Sequence, residues 1–197
     1  GGIVGILYAT GHVTNCANYG AISTGKTASY ASSVSDAAHV GGIVGYSYAP
    51  ISGCANFGAV KAENKTYGAI GGIAGFSKAA ITSCVNAGAI SGYTRTGGIV
   101  GIYNEQGALM RSCLNVGPVA CTNPSLSVSP FCGAVVGTVA GSDGQTVGTT
   151  DNCYYLADSF YHQTASTLYH GGVGYGTDTT TSKTAEALAS DDFVLTL

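Results

Sequence analysis

The sequence predicts an all-β fold, a right-handed parallel β-helix (β-solenoid) of about five coils with variable loops and a short C-terminal helical cap. Two short glycine-rich motifs recur along most of the 197 residues, and the segments between them vary in length. The 31 glycines are spread through the chain, and each would cost a helix about 1 kcal/mol relative to alanine. We therefore expect solenoid repeats over residues 1–153, starting near 1, 41, 71, 97 and 133, followed by an irregular segment and helical cap over 154–197.

The first motif is Gly-Gly, two aliphatic residues and Gly. It occurs at residues 1–5, 41–45, 71–75 and 97–101, with a degraded copy at 133–137. Short β-branched segments of this kind cannot bury an apolar face alone, and small strand pairs are only marginally stable in water. Coils stacked about 4.8 Å apart let each strand pair with its equivalent above and below.

The second motif is an aliphatic residue followed, after two or three positions, by Cys-x-Asn-x-Gly. It occurs at residues 13–20, 51–58, 81–88 and 110–117, and a fifth copy at 151–155 keeps only the cysteine. A further short strand follows the first four copies, at residues 21–22, 59–60, 89–90 and 118–119. The pattern predicts about three strands per coil, with the extra length of the longer repeats in loops before the next Gly-Gly.

Glycine and asparagine mark the predicted corners of the coil. Paired glycines suit positions of positive φ or close backbone approach. The motif asparagines are expected at a second corner, because asparagine tolerates the left-handed region and can hydrogen-bond its stacked neighbour. These residues are Asn18, Asn56, Asn86 and Asn115, and the corner is completed by Gly20, Gly58, Gly88 and Gly117.

The seven cysteines fall into two groups. Five occupy the same repeat position and are predicted to form a ladder of buried thiols: Cys16, Cys54, Cys84, Cys113 and Cys153. Parallel Cβ vectors are unfavourable for the roughly 90° torsion of a disulfide, and no C-x-x-C spacing indicates a metal site. Cys121 and Cys132 lie outside the ladder and are the one pair suited to a disulfide, a question that the sequence leaves open.

The aromatic residues also follow the repeat. Tyr46 and Phe76 are equivalent positions, as are Tyr19 and Phe57, and both pairs are expected to stack. We expect four tyrosines in variable loops, namely Tyr30, Tyr67, Tyr93 and Tyr103. Exposed tyrosine among serine and glycine suits recognition of a partner or sugar.

The remaining polar residues predict no catalytic, cofactor-binding or metal-binding residue and no cofactor. His12, His39, His162 and His170 have no ligand or triad spacing, so we expect them to be solvated. Asp143, Asp151 and Asp158 leave calcium binding open as an alternative.

The two ends of the predicted solenoid differ. Thr184 is a candidate helix N-cap with Glu186 in the first turn. An apolar face of the helix and the tail is expected to cover the last coil, formed by Leu188, Phe193, Val194 and Leu197. Residues 154–181 are expected to be irregular. The N-terminal coil has no evident cap, so we expect either further repeats in a larger protein or a second copy stacked on it.

The motifs Gly-Gly-Ile-Val-Gly and Asn-Cys-x-Asn-x-Gly, with the tail Asp151-Asn152-Cys153-Tyr154-Tyr155-Leu156 and residues 182–194, resemble the GLUG-type repeats of large bacterial surface and secreted proteins. The tail is similar to the segment that closes such arrays in Gram-positive gut bacteria. The resemblance implies an extracellular, cell-wall-associated fragment of a larger protein, found among adhesins and protease precursors alike.

Composition narrows the function classes. Charged residues make up 9% of the chain, and seven Lys+Arg against ten Asp+Glu leave a net charge of −3, which argues against nucleic acid as a partner. No apolar run reaches the length of a membrane helix, so we expect no membrane insertion. The leading hypothesis is a non-catalytic structural or adhesive module that presents loops to a host protein or glycan. The alternatives are a self-assembling fibre unit, associating through the N-terminal coil, and a carbohydrate-active β-helix enzyme.

Overall fold

The structure is a computed structural model and describes residues 1–24, 38–62, 68–104, 108–122, 131–139, 148–162, 171–190 and residue 193. In this part of the chain, 26 short strands and one helix form a parallel β-solenoid. The predicted parallel β-helix is thereby confirmed. The variable segments at 25–37, 63–67, 123–130, 140–147 and 163–170, where the loops were predicted, lie outside the described residues.

Equivalent strands recur from coil to coil. The first coil has β1 (Val4–Leu7), β2 (Val13–Thr14), β3 (Ala17–Asn18) and β4 (Ile22–Thr24). The second has β5 (Val40–Gly41), β6 (Val44–Ser47), β7 (Ile51–Ser52), β8 (Ala55–Asn56) and β9 (Val60–Ala62). The third has β10 (Ile70–Gly71), β11 (Ala74–Ser77), β12 (Ile81–Thr82), β13 (Val85–Asn86) and β14 (Ile90–Gly92).

The fourth coil has β15 (Thr96–Gly97), β16 (Val100–Tyr103), β17 (Ala108–Arg111), β18 (Leu114–Asn115) and β19 (Val119–Cys121). The fifth has β20 (Cys132–Gly133), β21 (Val136–Thr138), β22 (Gly148–Asp151), β23 (Tyr154–Leu156) and β24 (Phe160–His162). The strands β25 (Val173–Tyr175) and β26 (Thr181–Lys183) and the helix α1 (Ala185–Leu188) complete the order.

Five parallel sheets run along the stack, because each strand pairs with its equivalents in the neighbouring coils. Val44 of β6, for example, is in register with Val4 of β1 and Ala74 of β11. Inside the coils, the same repeat position supplies one aliphatic residue after another, and Ile43, Ile73 and Ile99 are fully buried. Stacking thus converts a repeated sequence position into a continuous core.

A complete coil has five strands rather than the predicted three. The cysteine motif contains two strands, since the residue before each ladder cysteine has a left-handed φ between 49° and 62° and breaks the strand. These residues are Asn15, Gly53, Ser83, Ser112 and Asn152. From the second coil onward, another two-residue strand, such as β5, ends on the first glycine of the Gly-Gly motif or of its degraded copy. Strands this short leave no periodicity to detect.

The motif asparagines differ in part from their predicted role. Asn56, Asn86 and Asn115 are fully buried inside the coil, and their φ values are not left-handed. The predicted bond between stacked asparagines is confirmed, because Nδ2 of Asn18 donates to Oδ1 of Asn56 at 2.8 Å. Paired glycines serve this ladder by close approach: a Cβ on Gly42 would overlap Oδ1 of Asn56.

The C-terminal segment contains more regular structure than expected. β23 and β24 pair with the fourth coil, β25 pairs with β21, and β26 pairs with β23. The expectation of irregular structure over 154–181 is therefore wrong for these strands. Repeat-like pairing persists there because backbone hydrogen bonds do not require the lost motif residues.

The helix α1 begins as predicted. Oγ1 of Thr184 accepts a bond from the Ala187 N–H at 3.2 Å, and Glu186 lies in the first turn. No residue of α1 is fully buried, and Leu188, which was expected to cover the last coil, is half-buried. Phe193 meets Tyr154 edge-on at 5.2 Å, whereas the predicted contributions of Val194 and Leu197 lie outside the described residues.

Residues 176–180 cross the end of the solenoid instead. Oδ2 of Asp178 accepts bonds from the N–H groups of Gly172 and Val173 at 2.9 and 3.2 Å. Thr179 donates its hydroxyl hydrogen to the Thr150 carbonyl at 2.6 Å. Polar side-chain bonds thus satisfy backbone groups at this end.

Candidate functional site

An aromatic surface lies over the first three coils and is called the aromatic platform here. It consists of two parallel rows, each advancing one coil at a time. The rows are Ile6, Tyr46 and Phe76, and Tyr8, Tyr48 and Lys78.

Register and backbone bonds position the two rows. Tyr46 is in register with Ile6 below it and Phe76 above it. The N–H of Tyr48 donates to the Leu7 carbonyl at 2.8 Å, and the equivalent bond runs from the Lys78 N–H to Ser47. Side chains two residues apart on a strand share a face, so the repeat places both rows on one surface.

The rings of the platform form a continuous stack. Tyr46 lies parallel to Phe76 at 4.5 Å between centroids, and Tyr48 lies 4.6 Å from Tyr46. Tyr8 is parallel to Tyr48 at 6.4 Å, with an angle of 5° between the ring planes. Nζ of Lys78 stands 5.5 Å from the Tyr48 ring centre, a cation–π arrangement.

Exposure varies across the platform. Phe76 is buried, Tyr48 is 43% exposed and Tyr8 is 68% exposed. Burial, and then the hydrogen bond with Tyr48, raise the pKa of the Tyr46 hydroxyl. The buried end anchors the stack, and the exposed end presents ring surface and hydroxyl groups to solvent.

His39 packs beneath the platform rather than being solvated as predicted. Its ring meets Tyr46 edge-on at 5.3 Å and Phe76 at 5.1 Å. His39 lies just before β5. The sequence holds no sign of this contact, because His39 belongs to neither repeated motif.

Sequence reasoning identified Tyr46 and Phe76 as a stack but missed the second row. A signal was present: Tyr8, Tyr48 and Lys78 each lie seven positions after the first glycine of a Gly-Gly motif. The first two are aromatic at equivalent sites. Alignment of the repeats on Gly-Gly would have placed them side by side.

A separate aromatic pair confirms another prediction. Tyr19 and Phe57 stack at 4.9 Å with 11° between the ring planes, and Tyr19 is 75% exposed. Both follow the ladder asparagines. This pair has no third ring at the equivalent positions of the next coils, which hold Ala87 and Val116.

The predicted loop tyrosines have different outcomes. Tyr103 lies in β16 and is fully buried, so its placement in a loop is wrong. It packs in the core beside Gly148, where a Cβ would overlap its ring. Tyr93 is half-buried in the turn between β14 and β15, and Tyr30 and Tyr67 lie outside the described residues.

The cysteine ladder is confirmed, with four of its thiols buried and Cys16 half-buried, and all seven cysteines are thiols. Each ladder thiol donates to the carbonyl two residues earlier, as Cys84 does to Thr82 at 3.2 Å. Burial, and then hydrogen bonds with Cys153 and Cys84, raise the pKa of Cys113 well above its usual value. A buried, protonated thiol of this kind is a structural group rather than a nucleophile.

Within the described residues no cluster of three or more His, Cys, Asp or Glu side chains could hold a metal ion. Of the aspartates weighed for calcium, Asp151 makes a 3.0 Å ion pair with Arg111, Asp158 has a left-handed φ of 62°, and Asp143 lies outside the described residues. His12 is exposed, as predicted. The side chain of His162 and the whole of His170 lie outside the described residues.

The N-terminal coil exposes positions that are core elsewhere. Ile3 is 49% exposed, whereas its equivalents Ile43, Ile73 and Ile99 are fully buried. β1, β2, β3 and β4 are all edge strands of their sheets. Their unpaired backbone groups form a template for a further strand.

The described part of the chain contains no helix long and apolar enough to span a bilayer. Comparison of the chain with protein-family models, with curated proteins and with solved structures finds no match.

Proposed function

We propose that this chain is a non-catalytic structural and adhesive module of a bacterial surface protein, belonging to the GLUG-type arrays that its motifs resemble. In this proposal the module is extracellular, and it holds a glycan or host protein against the solenoid. The aromatic platform is the observation that carries the proposal. It offers an exposed surface beside a six-stranded sheet, from β1 to β25, that joins all the coils.

The chemistry of the platform favours a glycan as the ligand. Tyr8 and Tyr48 present flat ring faces for the C–H surface of a sugar, and their hydroxyl groups can bond its hydroxyls. Tyrosine supplies contact area with little loss of side-chain entropy, because only two torsions are fixed. Lys78 adds a cation beside Tyr48, which suits a polar or acidic substituent on the sugar.

A glycan and host-protein array tests this proposal. The intact chain is compared with a Tyr8→Ala/Tyr48→Ala variant, which removes the exposed half of the platform. We expect binding of at least one glycan to weaken by about tenfold or more, since central aromatic residues dominate interface energies. Tyr19→Ala is the matched control, because Tyr19 is an equally exposed stacked tyrosine outside the platform.

Two results would contradict the proposal. One is an array on which the intact chain binds no component. The other is a bound component whose affinity is the same for the platform variant as for the intact chain. Circular dichroism of each variant verifies that the fold is unchanged.

A second function, self-assembly, is favoured by the exposed N-terminal coil. Ile3 carries apolar surface that its equivalents bury, and four strand edges are open beside it. A second copy seated on this coil would cover both. In this proposal the module is a unit of a surface fibre.

Light scattering over a range of protein concentrations tests self-assembly. We expect the measured mass of the intact chain to increase with concentration. The Ile3→Lys variant should keep the mass of a monomer, because the lysine places a charge in the contact between stacked copies. Ile6→Lys, which changes the outer face of β1, should still assemble. A monomeric intact chain at high concentration would exclude this function.

A further inference from the structure

Cys121 and Cys132 differ from the other five cysteines in place and in surroundings. Cys121 ends β19, and Cys132 begins β20, after the ten intervening residues 122–131. Both side chains are buried in an apolar cluster with Ile70, Ile90 and Val119, separate from the cluster that contains the buried ladder cysteines. Cys121 ends the fourth coil and Cys132 begins the fifth, and the two lie in different sheets.

The register of the neighbouring coil shows that these two positions face each other. Cys121 is paired with Gly92, and Cys132 is paired with Thr96. A Cβ built on Gly92 would lie 2.5 Å from Oγ1 of Thr96. Side chains at the two positions therefore converge across a corner of the coil, and one coil further along those side chains are the two thiols.

The contact between the two thiols is direct. Burial, and then the hydrogen bond with the Cys121 thiol, raise the pKa of Cys132. Cys121 also lies 3.5 Å from the Tyr93 carbonyl. The two thiols thus meet inside an apolar cluster, and such proximity is the first requirement of a disulfide.

The ladder thiols have a different geometry. Cys84 and Cys113 occupy the same position in adjacent parallel coils, since the residues that follow them are in register. Their Cα–Cβ bonds are therefore parallel, which opposes the disulfide torsion near 90°. Each also donates to its own coil's carbonyl, at 3.2 and 3.4 Å.

We propose that Cys121 and Cys132 are a redox-modified pair that forms an intramolecular disulfide and ties together the two ends of segment 122–131. The oxidant is a small disulfide such as oxidised glutathione. One cysteine thiolate displaces a glutathione thiol to give a mixed disulfide, and the second cysteine then displaces the other. Two protein thiols lose two hydrogen atoms in total, and one glutathione disulfide becomes two thiols.

Thiol counting and peptide mapping test the pair. The full chain is reduced, unfolded, and refolded at about pH 8.5 with oxidised glutathione, because exchange requires the thiolate. We expect two of the seven thiols to be consumed, leaving five, and a single linked peptide pair containing Cys121 and Cys132. The midpoint of thermal unfolding should rise by about 5 °C or more, since the bond closes a loop in the unfolded chain.

Matched variants locate the effect. Cys121→Ser should consume no thiols under the same conditions and show no rise in the unfolding midpoint. Cys84→Ser, a change in the ladder, should still consume two. The proposal is overturned if all seven thiols survive, if stable glutathione adducts form instead, or if the linked peptides come from the ladder. Mapping of the unmutated chain decides the matter even where a variant fails to fold.

Discussion

Nδ2 of Asn56 donates a hydrogen bond of 2.8 Å to Oδ1 of Asn86, which lies 30 residues further along the chain. The same amide group of Asn56 also donates to the Gly58 carbonyl at 2.8 Å. Each buried asparagine thus links two coils and closes its own turn. Because the amides are shielded from water, their bonds are costly to leave unmade.

Replacement of Asn86 by alanine should destabilise the solenoid strongly. Asn86 accepts a bond from Asn56 and donates one to Asn115 at 2.7 Å. Asn86→Ala therefore removes two ladder bonds and takes away the donor that Asn86 gives to the buried Oδ1 of Asn115. We expect a loss of about 2–3 kcal/mol in the free energy of unfolding, measured by urea titration. Asn18→Ala removes one ladder bond and should cost about half as much; equal costs would contradict the ladder.

Gly75 and Gly5 occupy the same repeat position, but replacement by alanine should affect stability very differently at the two. A Cβ on Gly75 would overlap the backbone nitrogen of Val40, whereas a Cβ on Gly5 has nothing within 4 Å. Gly75→Ala should therefore cost about 2 kcal/mol or more through backbone displacement. Gly5→Ala should be neutral or slightly stabilising because alanine restricts the unfolded chain. Thermal unfolding of the two variants checks this, and similar midpoints would be inconsistent with the packing.

The position before each ladder cysteine should tolerate only substitutions that suit a left-handed backbone conformation. Ser83 has a φ of 53°, a left-handed conformation that β-branched residues rarely adopt. Ser83→Val is expected to lose about 1–2 kcal/mol of stability, whereas Ser83→Asn should change it by less than about 0.5 kcal/mol. Denaturant titration measures the free energy of unfolding of both variants. If Ser83→Val leaves it unchanged, the left-handed turn is not required.

Stability should fall in alkaline solution through the buried thiol of Cys113. The folded-state pKa of Cys113 is raised by burial, so the thiol of the unfolded chain ionises first. The contribution is fully present below the unfolded pKa near 8.5 and is lost as pH rises above it, by up to about 1.4 kcal/mol per pH unit for one thiol. Reduced protein is used for urea titrations at pH 7.5, 8.5 and 9.5.

Cys113→Ala is the control for this pH dependence. The alanine variant is less stable at neutral pH because a buried group is lost, but its stability should decline less steeply with pH. An unchanged slope would mean that Cys113 makes no contribution to the alkaline loss.

Much of the fold could be predicted from the spacing of residues. The repeated Gly-Gly motifs and the cysteine motif predicted in-register parallel coils, the thiol ladder and the Tyr46–Phe76 stack. These features depend on one condition, namely that equivalent residues stack. Once the repeat is identified, stacking brings the same residue types together without further information.

Features that depend on backbone direction within a coil could not be predicted. The left-handed residue before each cysteine divides one predicted strand into two, so the asparagine points into the coil. Tyr103 lies in the core for a similar reason: β16 continues past the motif, and the side chain faces inward. Local propensities for two-residue strands are too weak to reveal either feature.

The sequence by itself determined that coils stack and which residues are equivalent, because a repeated pattern buries its apolar face only against another copy of itself. Tertiary structure alone decided what those residues contact around the coil. The facing of Cys121 and Cys132, and the two rows that place Tyr8 and Tyr48 beside Lys78, arise from turns between short strands. Turn directions determine where side chains converge, and they depend on the packing of the whole coil rather than on any one motif.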